Sequence, residues 1–219
     1  MKPPLQSGQY GRARLALDGD AHKRHGHFVL PHSRNDSGWG ALRVPIGIVS
    51  RGDGPTVLLT GANHGDEVEG TIALQALYRD IDPARVKGTI ILVPMLNYPA
   101  FRAAQRLLPF DGGNMNRAFR GRAEGTLTEQ IAFFVENELV ERADAVLDIH
   151  SGGRTMMFHP LAASHRLPSQ SQTDRAFAAL QAFGAPIGLV LEELDNVGML
   201  DTAVESRGKL FLTTELGGG

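Results

Sequence analysis

The chain of 219 residues is 42% hydrophobic and 21% charged, which is typical of one or two soluble globular domains. Its formal net charge of −2 offers no basic surface for nucleic acid or anionic lipid, and no apolar stretch is long enough to span a membrane. Cysteine is absent, so a transition-metal site has to use histidine and carboxylate ligands. The first 20 residues lack an apolar signal core, and we expect a cytoplasmic location.

Residues 1–50 are predicted to form an N-terminal arm and edge strands of the same domain as the rest of the chain. A short strand is expected at 13–17, and strands at 27–30 and 42–49 flank a polar loop, a pattern typical of a hairpin. The segment also holds four clustered histidines, namely His22, His25, His27 and His32. They lie in a turn-rich stretch without carboxylates or regular spacing, which favours a surface role over a metal site.

From residue 51 to 219 strand and helix patterns alternate, and we assign these residues to one α/β unit. Buried-strand runs are predicted at 56–60, 89–93, 145–149, 187–191 and 209–214. Amphipathic helices are predicted at 68–78, 127–140, 173–183 and 200–207. The alternation predicts an α/β fold, with a mostly parallel or mixed central sheet flanked by helices.

Polar residues follow several of these strands, at the sheet edge where ligands bind in such folds. His64 and Glu67 lie three residues apart after the first buried strand, a spacing that lets both side chains reach one point. With His150 at the tip of another strand they would complete the three protein ligands of a catalytic zinc. The alternative is that Glu67 only satisfies backbone N–H groups at the start of a helix.

Two further carboxylates lie close to this edge. Asp148 precedes His150 by two residues and therefore lies on the same face of its strand, where it either orients the histidine or pairs with a basic or backbone group. Glu215 ends the last strand and is a candidate general base for metal-assisted hydrolysis, although strand-end acids are also common without a catalytic role.

A loop rich in glycine, asparagine and arginine spans residues 106–121. Its arginines could bind a substrate carboxylate through two parallel hydrogen bonds or stabilise an oxyanion, and the alternative is a solvated basic loop. The chain contains neither a phosphate-binding glycine loop after a strand nor the G-x-S-x-G motif of serine hydrolases.

Four segments together resemble the succinylglutamate desuccinylase/aspartoacylase family, a branch of the zinc carboxypeptidase-like fold. They are residues 61–67 (GANHGDE), 114–117 (NMNR), 148–151 (DIHS) and 214–216 (TEL), in the order of the family. The resemblance implies one Zn²⁺ per chain, bound by His64, Glu67 and His150. It also implies that Glu215 is the general base and proton shuttle.

For the substrate, the resemblance implies that Asn116 and Arg117 clamp a carboxylate and that Arg106 polarises the scissile carbonyl. The runs at 97–100, 111–114 and 150–153 are similar to a bacterial deacylase branch that includes deacetylases of N-acetyl-2,4-diaminobutyrate in ectoine degradation. The implied partner is a small N-acyl amino acid, with no nucleic acid or membrane, and a homo-oligomer is possible.

The chain departs from the family pattern in two ways. Asn114 replaces the usual aspartate of the segment at 114–117, outside the clamp itself. The family carries a C-terminal β domain after the catalytic glutamate, whereas residues 51–219, the expected zinc-dependent catalytic domain, end four residues after Glu215. We therefore expect either a fragment or a truncated family member in which this β domain is missing. Two alternatives to a zinc amidohydrolase therefore stay open: a metallocarboxypeptidase acting on peptides, and a non-catalytic remnant that binds zinc or a carboxylate.

Overall fold

The computed structural model describes residues 3–192 and 196–219, so Met1 and Lys2 of the predicted arm lie outside the described residues. Ten strands of the described chain form one sheet. In chain order they are β1 Gly8–Tyr10, β2 Ala13–Gly19, β3 Lys23–Pro31, β4 Ala41–Arg51, β5 Thr56–Gly61, β6 Gly88–Val93, β7 Ala145–His150, β8 Met157–His165, β9 Ile187–Leu191 and β10 Leu210–Gly218. The spatial order is β1-β2-β3-β4-β6-β5-β7-β10-β8-β9.

The first four strands form an antiparallel half of the sheet, joined to the rest where β4 pairs antiparallel with β6. β3 and β4 make the predicted hairpin, with Pro31 opposite Ala41 at its closed end. Its loop carries Trp39, the only tryptophan of the chain, whose side chain is 99% exposed. These strands lie on the side of β6 remote from β5, β7 and β10, and the closed end of the hairpin contacts the loop at 106–121, where His32 and Arg34 lie against the Phe110 ring.

The other half is mixed. β6, β5, β7 and β10 are mutually parallel neighbours, β8 runs antiparallel to β10, and β9 is parallel to β8. The predicted mixed sheet is therefore present, and its parallel centre brings the carboxyl ends of β5, β7 and β10 to one edge. That edge is where the chemistry-bearing residues were expected.

Helices cover both faces of the sheet. Their bounds are α1 Glu69–Asp80, α2 Tyr98–Ala103, α3 Leu127–Phe134, α4 Gln170–Phe183 and α5 Leu200–Glu205. A capping box on Thr126 starts α3, which continues as a π-helical turn at Val135–Leu139 instead of the single α-helix predicted to residue 140. No helix in the described ranges is both long and apolar enough to cross a membrane.

Apolar side chains pack into two main clusters, and a third one, of Ala162, Leu180 and Leu212, lies beside the second. The larger cluster includes Phe28 and Phe134, whose rings stack at 4.4 Å, and continues to Phe211 on β10. The smaller cluster lies under α1 and includes Leu74 and Ile149. A slip of one residue would move each side chain of a central strand to the opposite face, so the packing of both faces fixes the register.

Two glycines let α1 approach the sheet closely. A Cβ on Gly70 would lie 2.8 Å from the Ile149 carbonyl oxygen, and a Cβ on Gly61 would lie 2.9 Å from the Gly70 carbonyl carbon. The backbone of α1 thus rests directly on β5 and β7. This close contact sets the distance between the start of α1 and the end of β7.

Candidate metal centre

Two neighbouring chain segments position the three predicted metal ligands. His64 and Glu67 lie in the loop between β5 and α1, and His150 is the last residue of β7. β5 and β7 pair in parallel with Gly61 opposite Ile149, so the residues that follow β5 meet the end of β7. The turn out of β5 begins at Ala62, which has a positive φ of 49°.

The three side chains converge on one point and are buried. Each histidine contacts a different oxygen of Glu67: His64 Nδ1 lies 2.7 Å from Oε1, and His150 Nδ1 lies 2.7 Å from Oε2. One ligand atom from each residue lies within 4.8 Å of the other two. Two imidazole nitrogens and a carboxylate form the donor set of many zinc enzymes, so these residues fit a zinc ion.

The electrostatics of the cluster also favour a cation. Burial alone would raise the pKa of Glu67, but hydrogen bonds with His150 and His64 outweigh it and lower that pKa to about 2. Burial would likewise lower the pKa of His150, but Asp148 and Glu67 raise it well above the usual value. The carboxylates are thus held ionised and require positive charge on the histidines or between them.

Asp148 holds His150 in place from the side opposite Glu67. Its Oδ2 lies 2.8 Å from His150 Nε2 and accepts a hydrogen bond of 2.7 Å from Asn63 Nδ2, while Oδ1 accepts one of 2.6 Å from Thr60. Burial would raise the pKa of Asp148, but the charge of His150 and these hydrogen bonds lower it. Of the two interpretations of Asp148, the structure shows the histidine contact, which directs His150 Nδ1 at Glu67.

Asn114 plays the corresponding part for His64. Its side-chain Oδ1 lies 3.2 Å from His64 Nε2 and also accepts a hydrogen bond of 3.0 Å from the backbone of Asn116. A proton on Nε2 leaves Nδ1 of His64 free to bind a metal. From the sequence, Asn114 was expected only to lie outside the substrate clamp. Its contact with His64 was not predicted, because the two residues are far apart in the chain.

Glu215 stands beside His150 on the adjacent strand. β10 and β7 are parallel with Glu215 directly opposite His150, so both side chains project from the same face. Oε2 of Glu215 is buried and has no hydrogen-bond partner in the described chain. Burial, together with the negative charges of Glu67 and Asp148, raises the pKa of Glu215 to about 7 although His150 opposes the shift.

The basic loop lies next to the same site. Arg106, half exposed, donates from Nη1 to Glu67 Oε1 at 3.1 Å. Asn116 is buried, and its Oδ1 accepts a hydrogen bond of 2.9 Å from the backbone of Leu200. Arg117 is exposed and donates from Nη1 to the Asn116 carbonyl at 2.7 Å. The Asn116 carbonyl groups are thus used by the fold, and its Nδ2 remains as the donor for a ligand.

All seven predicted site residues line one cleft of about 220 Å³. The described residues of its inner wall include several that the sequence did not single out, among them Met199, Asp201, Phe211, Thr213 and His165. His165 was missed because it ends β8, a strand that was not predicted. Asp201 was missed because it reads as an ordinary first-turn acid of a helix.

Comparisons with known proteins show which family the chain is similar to. The sequence model of the succinylglutamate desuccinylase/aspartoacylase catalytic domain matches residues 53–219. The N-alpha-acetyl-L-2,4-diaminobutyric acid deacetylase of Halomonas elongata is 50% identical over 196 residues, which are 90% of this chain and 57% of that protein.

Solved structures give the same picture. A product-bound structure of the ectoine utilization protein EutE (DoeB) from Ruegeria pomeroyi has a TM-score of 0.91 at 48% identity, over 97% of this chain and 65% of that one. A succinylglutamate desuccinylase from Silicibacter sp. TM1040 has a TM-score of 0.90 at 51% identity, over 94% and 63%. The chain therefore spans less than two thirds of the length of these three relatives.

A more distant structure bears on the fold alone. A metallo-carboxypeptidase from Burkholderia cenocepacia has a TM-score of 0.62 at 19% identity, over 80% of this chain and 52% of that one. The predicted carboxypeptidase-like α/β fold is thereby confirmed.

Proposed function

The chain belongs to the succinylglutamate desuccinylase/aspartoacylase family, and we propose that it acts as a zinc-dependent deacylase of N-acyl amino acids. The observation that carries the proposal is the position of Glu215 in register with His150, beside the converged donors of His64, Glu67 and His150. A half-buried carboxylate next to a three-residue donor set is the arrangement that metal-assisted hydrolysis requires.

In the proposed reaction, His64, Glu67 and His150 hold one zinc ion, which when bound supplies a Lewis acid that polarises the amide carbonyl. Glu215 accepts a proton from the attacking water and passes it to the departing amine. Burial and the charges of Glu67 and Asp148 raise its pKa to about 7 in the metal-free protein, and the positive charge of a bound zinc ion would lower it, so that Glu215 is ionised and able to accept the proton at neutral pH. Arg106 adds positive charge where the carbonyl oxygen becomes negative.

Asn116 and Arg117 are the proposed clamp for the substrate's α-carboxylate. Arg117 is exposed and its guanidinium already lies against the Asn116 backbone, while the Asn116 amide group lines the cleft. An arginine fork and a neighbouring amide donor together match the two oxygens of a carboxylate. A substrate held there would present its N-acyl group toward Glu215 and the metal ligands.

We propose acetyl as the acyl group and 2,4-diaminobutyrate as the amino acid, which places the reaction in ectoine degradation. Support comes from the names of two relatives, the Halomonas elongata deacetylase and the Ruegeria pomeroyi ectoine utilization protein. A third relative of similar identity is named a succinylglutamate desuccinylase, so the acyl group needs a direct test.

The test is a screen of the zinc-loaded protein with acetyl, succinyl and formyl derivatives of 2,4-diaminobutyrate, glutamate and aspartate. Hydrolysis is measured by the primary amine that is released. We expect the fastest turnover with Nα-acetyl-2,4-diaminobutyrate. N-acetyl-1,3-diaminopropane, which lacks the α-carboxylate, should react slowly, and Arg117→Ala should reduce turnover of the amino acid substrate alone. The exposed Glu124→Gln variant is the control and should match the wild type.

Two other results would overturn the proposal. Cleavage of C-terminal peptide bonds in preference to N-acyl amino acids would identify a metallocarboxypeptidase. A protein that binds one equivalent of zinc but hydrolyses no member of the panel would be a non-catalytic binding protein.

A further inference from the structure

Asp201 is a buried acid in the cleft that the proposed reaction does not use. It lies in the first turn of α5, is 6% exposed and lines the same cleft as the metal ligands. Only its Oδ1 is engaged, accepting hydrogen bonds from the backbone and hydroxyl of Thr202. Its Oδ2 has no hydrogen-bond donor within residues 3–192 and 196–219.

Other buried acids of the described chain have a partner of opposite charge. Glu136 pairs with Arg207 at 2.6 Å, and Glu67 and Asp148 each contact His150. Asp201 has no such ion pair in the described ranges, and burial raises its pKa although the charge of His165 opposes the shift. A carboxylate kept in a cleft without a cation is costly for folding, which indicates a ligand that supplies the positive charge.

The position of Asp201 relates it directly to the carboxylate clamp. The backbone of Leu200 donates to Asn116 Oδ1, so α5 begins against the clamp and Asp201 is the next residue. Phe211 and Met199 line the same cleft and offer apolar surface for the stem of a ligand. The cleft therefore presents arginine at the clamp and a carboxylate beside it.

A ligand that matches this pattern carries an anionic group and, a short apolar stem away, a cation. We propose that Asp201 binds the side-chain ammonium of an N-acyl diamino acid and thereby selects cationic over neutral side chains. The inference rests on the proposed deacylase function and adds to it the residue that determines the side-chain preference. A hydrogen bond between a buried carboxylate and an ammonium is of the strong, charge-assisted kind.

The test compares two acetylated substrates of nearly equal shape, Nα-acetyl-L-2,4-diaminobutyrate and Nα-acetyl-L-norvaline, in which a methyl group replaces the ammonium. The two substrates compete in one reaction, which is run once with the wild-type protein and once with Asp201→Asn. The ratio of the two kcat/KM values is measured for each protein. This ratio is independent of the folded fraction of each preparation. Asp174→Asn, on the exposed face of α4, is the matched control.

We expect the wild type and the control to prefer the cationic substrate, and Asp201→Asn to reduce that preference roughly 10- to 100-fold with little change for the norvaline derivative. An equal loss for both substrates, or a wild type without preference, would overturn the role of Asp201. If neither substrate is hydrolysed, the deacylase proposal fails. The role of Asp201 is then tested separately by measuring the calorimetric binding of L-2,4-diaminobutyrate and L-norvaline. If Asp201→Asn no longer binds L-2,4-diaminobutyrate more tightly than L-norvaline, the role of Asp201 is supported. If the difference between the two affinities is the same as in the wild type, that role is refuted.

Discussion

Glu215 and His150 occupy directly opposed positions on two parallel strands, β10 and β7. Backbone hydrogen bonds of the sheet interior fix this pairing, so the distance between the proposed base and a proposed metal ligand does not depend on a loop. Both residues line the same cleft, to which Thr213 and Phe211 of β10 also contribute. A base held in this way is arranged before any substrate binds, which reduces the cost of reaching the transition state.

Glu215→Gln should separate metal binding from catalysis. Glutamine has nearly the same shape but cannot accept the proton, so we expect turnover to fall by about 10²- to 10⁴-fold. Zinc content, measured by elemental analysis, should stay at one per chain because Glu215 is not among the three converged donors. A variant that keeps wild-type kcat would contradict the role of Glu215 as general base.

His150→Ala should abolish stoichiometric zinc binding. The change removes one of three donors and leaves Glu67 and Asp148 buried without their shared partner. The matched control is His159→Ala, an exposed histidine on β8, which should retain one zinc per chain. Equal zinc content in the two variants after dialysis would show that the ion binds elsewhere.

Asp148→Asn should weaken zinc binding by about 10- to 100-fold, as is usual when the group that orients a ligand histidine is changed. The asparagine keeps the size of Asp148 but removes the charge that faces His150 Nε2. Competition with a chromophoric chelator gives the affinity. Asp144→Asn, at the opposite end of the same strand, should bind zinc as tightly as the wild type, and a similar loss in both variants would argue against a specific role for Asp148.

Zinc binding should release protons and strengthen as the pH rises. The pKa of His150 is raised well above its usual value in the metal-free protein, so at pH 7 the ion has to displace a proton from this histidine. Calorimetric titrations at pH 7 in two buffers with different heats of ionisation should show the release of about one proton or more. The same heat in both buffers would mean that His150 is already neutral.

Gly70→Ala should destabilise the protein and weaken the metal site although no ligand is changed. The new methyl group would lie 2.8 Å from the Ile149 carbonyl oxygen, and the resulting shift of α1 would cost about 1–3 kcal/mol of unfolding free energy. Chemical denaturation followed by circular dichroism measures this. Gly38→Ala, with open space around its Cβ, should stay within about 0.5 kcal/mol of the wild type, and equal stability of both variants would disprove the close contact.

The sequence was sufficient to predict the strands that consist of apolar runs, and also the polar residues that follow those strands. β5, β6 and β7 were predicted within one residue of their observed bounds. β8 was not predicted, because its sequence contains Pro160, two histidines and small residues that lack a clear alternation of polar and apolar side chains. Because β8 was not predicted, its pairing with β10 was not expected either. β10 was therefore predicted to end at residue 214, whereas this pairing extends it to Gly218.

Site prediction was limited by contacts between residues distant in sequence. The position of each polar residue at the end of a strand was enough to predict that His64, Glu67, His150 and Glu215 would meet. The contact of Asn114 with His64 and the placement of Asp201 depend on how a loop and a short helix fold onto the sheet. No local pattern encodes such contacts, so they become visible only in three dimensions.

The exposed position of Trp39 determines how unfolding of this protein should be followed. Its indole is already in water in the native state, so intrinsic tryptophan fluorescence should change little when the packed interior unfolds. If the unfolding transition followed by fluorescence does not coincide with the transition followed by circular dichroism, the difference would therefore be no evidence for a folding intermediate. Moving the only tryptophan into the core, for example by Phe134→Trp in a Trp39→Phe background, would give a probe of the packed interior instead.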